Sequence, residues 1–175
     1  MLGPEKTALN IRIITTGGTI AKIYNELDGS LRPESPIAES ILIGLRLPDL
    51  TIHYQHLLEK DSLDLTDEDR GMILLAVRGA IADMDAVILI HGTDTMEVTG
   101  EMLCRELAEP TIPVVMTGAM RPYEFRNSDA LQNVTEALLA CRVVDPGIYV
   151  AMHNRVLRFP GVVKDRTALS FTRKA

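Results

Sequence analysis

The stretch from Ile11 to Ala21 (Ile-Arg-Ile-Ile-Thr-Thr-Gly-Gly-Thr-Ile-Ala) limits what this chain can fold into more than any other. Ile11, Ile13 and Ile14 are stiff at χ1 and pack well on a pleated surface, so the run reads as a buried strand. Gly17 and Gly18 stop it. Glycine accepts positive φ and close backbone approach, so the chain can turn sharply past the strand end. The turn delivers the Thr19 hydroxyl to the lip of a sheet, where ligands bind in open α/β folds. Ala86 to Ile90 repeats the pattern as a continuous apolar run, expected of a strand covered on both faces. It runs straight into His91-Gly92-Thr93-Asp94-Thr95. Two strand ends thus present threonines and one acid.

The rest of the chain alternates strands and helices around these two. Asn10 to Thr16 is the first strand, after a polar lead-in from Met1 to Leu9. Thr19 to Arg32 is polar and reads as a long loop, the usual form of a functional lid. Pro33 to Leu45 has helical spacing at Ile37, Ile41, Leu42 and Leu45, and Leu50 to Leu57 alternates as a strand. A short acidic loop, Glu59 to Leu65, precedes Thr66, a good N-cap with Asp67, Glu68 and Asp69 in the first turn of a helix to about Ala82. Asp94 to Leu107 reads as a helix, Ile112 to Met116 as a strand, and Ser128 as the cap of a helix to Arg142. Ile148 to Met152 is the fifth strand, and Asn154 to Ala175 reads as basic and irregular. Five alternations predict a parallel sheet with right-handed crossovers. The expected fold is an α/β three-layer sandwich with a mainly parallel, flavodoxin-like sheet, one domain over residues 1–175.

Composition narrows the function classes. At 175 residues the length fits one domain, and a hydrophobic fraction of 46% allows a substantial core. A net charge of −6 argues against binding nucleic acid or an anionic membrane through phosphate neutralisation. Cys104 and Cys141 fall in helical patterns and read as reduced core residues. There is no apolar run of signal-peptide or transmembrane length, so a cytoplasmic location is expected. His53 and His56 would point to opposite faces of a strand, and no third ligand clusters with them, so no metal site is expected. Gly17-Gly18 lacks the lysine of a phosphate-binding loop, and no cofactor is expected.

Four segments, in order along the chain, carry a family resemblance. Thr16-Gly-Gly-Thr-Ile-Ala21 and His91-Gly-Thr-Asp-Thr-Met-Glu97 resemble the two signature motifs of the bacterial-type L-asparaginases, which are threonine amidohydrolases. Met116-Thr-Gly-Ala-Met-Arg-Pro122 and Ser128-Asp-Ala-Leu-Gln-Asn133 extend the likeness. Read on its own chemistry, Thr19 is either a turn cap or a nucleophile, and Thr93 with Asp94 either helix caps or reactive groups. The resemblance implies the second reading for each. Thr19 would attack the side-chain amide of L-asparagine to give an acyl-enzyme. Thr93 would position water, and Asp94 would hold the substrate's α-amino group. Lys164, in the short apolar run Gly161-Val-Val-Lys-Asp165, would complete a threonine–lysine–aspartate relay, a role suited to a lysine in apolar surroundings.

Other roles follow from the same likeness. Tyr24 would activate the nucleophile from the lid, and Ser62 would bind the α-carboxylate beside Asp61. Leu63 stands where relatives often have glutamine. Gly18, Gly92 and Ala119 would line the substrate through backbone. His91 is read as a buried, hydrogen-bonded histidine and not as the base. Relatives usually carry a C-terminal domain that gives an acid to a neighbour's site, and this chain reads as a short form without it. Self-association as a homodimer or homotetramer is expected, with L-asparagine as substrate and glutamine a poor one. Two alternatives stand beside this reading: the amidohydrolase component of a tRNA-dependent amidotransferase, and a non-catalytic asparagine or aspartate sensor.

Overall fold

The computed structural model describes residues 8–33 and 36–174. Its centre is a six-stranded sheet. In chain order the strands and helices are β1 (Leu9–Gly17), β2 (Lys22–Tyr24), β3 (Leu31–Pro33), α1 (Ile37–Leu42), β4 (Leu50–Lys60), α2 (Asp67–Asp83), β5 (Ala86–Ile90), α3 (Met96–Leu107), β6 (Pro113–Thr117), α4 (Ala130–Val143), β7 (Gly147–Met152), β8 (Arg155–Arg158), β9 (Val162–Asp165) and β10 (Ser170–Arg173). The main sheet runs β4-β1-β5-β6-β7-β8. Its first five strands are parallel, and β8 closes the edge antiparallel to β7. The expected flavodoxin-like order is therefore present, with one antiparallel strand added.

Burial explains why these runs are strands. Every residue of β5, β6 and β7 is buried, as the continuous apolar runs require. Two aliphatic cores flank the sheet. One joins Ile11, Ile13, Ile88 and Val115 to α1 and α4, and the other joins Ile14, Leu89 and Met116 to α2, α3, β9 and β10. Side-chain alternation along β1 sends Ile13 to one core and Ile14 to the other. That division is what makes the fold a three-layer sandwich.

Several elements differ from expectation. The Thr19 to Arg32 loop is a 3-10 turn (Thr19–Ala21) followed by the β2/β3 hairpin. Its strands are three residues each and are masked in sequence by the polar turn between them, where Asp28 accepts bonds from Ser30. Leu9 is buried at the start of β1, while residues 1–7 of the polar lead-in lie outside the described residues. The Pro33 to Leu45 helix is confined to Ile37–Leu42, because Pro33 belongs to β3; residues 34 and 35 lie outside the described set. β4 continues to Lys60, past a register shift opposite Thr15 to Gly17, so only part of the acidic loop remains. The third helix starts at Met96 and not at Asp94, with Thr95 as an N-cap that makes no side-chain cap bond. The fourth starts after Asp129; Ser128 Oγ accepts from the Ala130 N–H and donates to the Arg121 carbonyl. The tail read as irregular holds three strands. Val162 and Phe171 are buried there, while Arg155 and Arg158 face outward, so neither apolar continuity nor clean alternation shows in sequence. Thr66 caps α2 as expected, in a capping box with Asp69.

Candidate active site

In the order β4-β1-β5-β6-β7, connections leave β1 in opposite directions across the sheet. The gap beyond the carboxyl ends of β1 and β5 is the topological switch point, where ligands bind in open sheets. β1 and β5 pair in parallel up to Thr15 and Ile90, and Thr16 Oγ1 donates to the Ile90 carbonyl at 3.1 Å, pinning the two ends. Gly18, at φ 86°, touches the backbone of Gly92; a Cβ on Gly18 would lie 2.5 Å from Gly92 Cα. Only glycine satisfies both the positive φ and the contact. The residue after each glycine is a threonine, Thr19 and Thr93. The glycine pair thus brings together, at the switch point, the two turns from which Thr19 and Thr93 follow.

Thr93 is buried, and its Oγ1 accepts from Lys164 Nζ at 2.8 Å. The same ammonium donates to Asp94 Oδ1 at 2.9 Å. The Lys164 side chain is 7% exposed and that of Asp94 31%, so the amine is shielded while the carboxylate keeps an opening to solvent. The Lys164 N–H is held by Glu97 on α3, which aims the chain of β9 into the site. Asp94 Oδ1 also accepts from Arg166 Nη1 at 3.0 Å. The Lys164 hydrogen bond, aided by Arg166, holds the Asp94 carboxyl below its ordinary range against the opposing effect of burial.

Gly92 packs on Ser62. An added Cβ at Gly92 would lie 2.6 Å from Ser62 Cβ and 2.7 Å from its Oγ. Ser62 is 1% exposed, and its hydroxyl has no hydrogen-bond partner among the described residues. A buried polar group without a partner costs free energy, so a ligand oxygen or water at this point would be favourable. Asp61 does not turn toward the Ser62 hydroxyl. It binds Lys22 Nζ at 2.7 Å and caps the 3-10 turn Ser62–Asp64, which together hold its carboxyl below the ordinary range. Thr95 Oγ1 donates to the Ser62 carbonyl at 2.7 Å, which is why it is not available to cap α3.

The end of strand β6 supplies the far wall. A Cβ on Gly118 would lie 3.5 Å from Thr93 Cγ2, and Ala119, next in the chain, is buried. Asp129 holds this segment: it accepts from the N–H groups of Met120 and Arg121, from Asn133 Nδ2, and from His153 Nε2 at 2.8 Å. Burial opposes its charge, yet these donors prevail and its pKa is lowered. His91 is fully buried. The Gly92 carbonyl can only accept, so His91 Nδ1 carries the proton at 2.7 Å, and in the neutral ring Nε2 accepts from Thr99 at 2.9 Å. Burial pushes its pKa down to about 4, consistent with a structural histidine.

Tyr24 is the outlier. It is 51% exposed, and among the described residues its hydroxyl makes no hydrogen bond. Its backbone N–H donates to Glu124, and the Tyr123 N–H donates to the Ile20 carbonyl, so the hairpin is tied to the β6–α4 connection. Sequence reasoning missed Lys22, Arg166 and Asp129. Asp129 stood within the Ser128 to Asn133 motif, whereas Arg166 reaches Asp94 across 72 residues and left no local signal. A depression of about 360 Å³ between α3 and β9 is lined by Glu97, Glu101 and Val162 and contains none of the clustered threonines. Its two carboxylates are already engaged by the N–H groups of Lys164 and Gly161. Among the described residues no group of three His, Cys, Asp or Glu side chains is placed to hold a metal ion.

Fold and cluster together define a class: a doubly wound α/β domain with a hydroxyl, an amine and a carboxylate in contact at its switch point. The chain belongs to the asparaginase family, whose N-terminal domain model matches residues 10–170. It is 35% identical over 152 residues to an L-asparaginase of Thermococcus kodakarensis, covering 85% of this chain and 45% of that protein. It is 29% identical to a glutamyl-tRNA(Gln) amidotransferase subunit of Methanococcus vannielii, over 84% of this chain and 35% of that one. The solved structure of the thermostable L-asparaginase from Thermococcus kodakarensis superposes with a TM-score of 0.84 at 32% identity, over 94% of this chain and 51% of that chain. The chain thus spans about half or less of the length of these relatives.

Proposed function

We propose that this domain hydrolyses the side-chain amide of L-asparagine through a threonine acyl-enzyme. The observation that carries the reading is the contact of the shielded Lys164 Nζ with Thr93 Oγ1 and Asp94 Oδ1, one residue past the glycine that touches Gly18. Thr19 Oγ1 attacks the amide carbonyl, its proton passes to the departing nitrogen, and the C–N bond breaks to release ammonia while the acyl group stays on Thr19 as an ester. Thr93, held by Lys164, positions the water that attacks the ester and frees L-aspartate. Lys164 gives up and regains a proton through its contact with Thr93, and Asp94 orients it and the substrate's ammonium group. Ser62, with its unpartnered buried hydroxyl, takes the α-carboxylate, and the backbone at Gly18, Gly92 and Ala119 shapes the remaining wall. Tyr24 contributes to activating Thr19 only if the hairpin closes further over the site than it does here.

Ammonia release from L-asparagine and from L-glutamine tests this directly. Glutamine carries one more methylene, which displaces its amide from Thr19, so asparagine is expected to be the better substrate. Equal turnover of the two contradicts the asparagine preference. A second reading is favoured by the amidotransferase relative: the same chemistry would supply ammonia to a partner protein. In that case activity with asparagine is low alone and rises when the partner is added. We also expect homodimers or homotetramers, to be read by sedimentation of the purified chain.

A further inference from the structure

Asp94 is the acid to which a substrate ammonium would dock, yet this carboxylate already faces two cations. Lys164 Nζ and Arg166 Nη1 both donate to Oδ1, at 2.9 and 3.0 Å. Arg166 Nη2 also reaches the Asp94 carbonyl at 3.5 Å. Among the described residues no donor reaches Oδ2, which is where a third cation would have to sit. The two cationic side chains differ in place. Lys164 is 7% exposed and belongs to the cluster, while Arg166 is 67% exposed, on the turn between β9 and β10. Among the described residues, the adjacent acids make their hydrogen bonds to backbone and none to Arg166. Asp165 accepts from the N–H groups of Thr167 and Ala168, and Glu97 accepts from the Lys164 N–H.

We infer that Arg166 is a specificity-determining residue: it competes with the substrate's α-ammonium for Asp94 and so opens the site to ω-amides of dicarboxylic acids that lack an α-amino group. An ammonium at Oδ2 meets repulsion from the guanidinium bound to Oδ1 of the same carboxylate. A des-amino substrate such as succinamic acid meets none. The same carboxylate and amide ends remain for Ser62 and Thr19. This inference rests on the amidohydrolase reading above and adds its substrate class.

The test is the ratio of kcat/KM for L-asparagine to that for succinamic acid, measured by ammonia release in the wild type, Arg166→Gln and Arg166→Lys. Exposed charge pairs have modest strength, so Arg166→Gln is expected to raise the ratio about threefold to fivefold. Arg166→Lys, which keeps a cation, should leave it near the wild-type value. Raising the ionic strength should move the wild-type ratio toward that of Arg166→Gln, because exposed charges are screened; a purely structural role for Arg166 would not respond to salt in this way. An unchanged or lowered ratio in Arg166→Gln overturns the inference while leaving the hydrolase intact. Ammonia from neither amide in the wild type overturns the hydrolase reading, and the inference with it.

Discussion

In the proposed reaction, Lys164 is the residue on which the chemistry turns. Replacing it by Met keeps the stem but removes the donor shared by Thr93 and Asp94. General acid–base groups contribute roughly 10²–10⁴-fold to rate, so Lys164→Met should lower kcat for asparagine by about that factor with KM little changed. A loss confined to KM would assign Lys164 to binding alone. Gly92 tests the packing of the site. Its Cβ would fall 2.7 Å from Ser62 Oγ and 3.2 Å from the Ser62 N–H. Gly92→Ala should therefore displace Ser62, cost about 1–3 kcal/mol by overpacking, and raise KM well beyond what the stability loss explains; an unaltered KM would remove Ser62 from the carboxylate site. The sequence already marked Thr19, Thr93 and Asp94, because they follow glycines that end apolar strands. Lys164 was placed by resemblance, since a lone lysine in a short apolar run carries no partner in its own segment. Arg166 and Lys22 were not legible, because a long-range ion pair leaves no mark on either stretch.

At the scale of elements, α2 is the clearest case of local coding. Thr66 accepts from the Asp69 N–H, and Asp69 accepts in return from the Thr66 N–H and from Lys60 at the end of β4. Thr66→Ala should cost about 1 kcal/mol, the usual worth of an N-cap, as a lowered midpoint in urea with unchanged slope. The Lys60 hydrogen bond, then the Thr66 N–H, lowers the Asp69 pKa from 3.8 to about 2. A depressed folded pKa stabilises above the ordinary value and is lost as pH falls through the folded one. The contribution of Asp69 should therefore be complete above about pH 5 and fade between about pH 4 and pH 2. Asp69→Asn should show a flatter stability profile over that interval; an identical acid limb in both would show that Asp69 is not linked to folding. The α2 cap was readable because its signals lie within four residues. The β2/β3 hairpin and β8 to β10 were not, because short, half-exposed strands gain their order from neighbours: β2 from Glu124 and Asp61, β9 from Glu97 and Glu101.

At the scale of the whole molecule, the sheet order does most of the work. A flavodoxin-like order needs only that β1 be flanked by β4 and β5, and the continuous apolar runs of β5, β6 and β7 announce strands buried on both faces. That order puts the carboxyl ends of β1 and β5 at the switch point, and the Gly18–Gly92 contact brings together there the turns that lead into Thr19 and Thr93. The antiparallel β8 and the β9/β10 hairpin then return Lys164 to the same point from the far edge of the chain. Among the described residues no helix is long and apolar enough to cross a membrane.

The central claim is that Thr19 is the nucleophile of an amidohydrolase. Ammonia release from L-asparagine by the purified chain, measured beside Thr19→Ala, addresses it most directly. The account predicts release by the parent and a fall to background in Thr19→Ala, with L-aspartate still bound by the variant. Equal release by both proteins, or none from the parent, would contradict it.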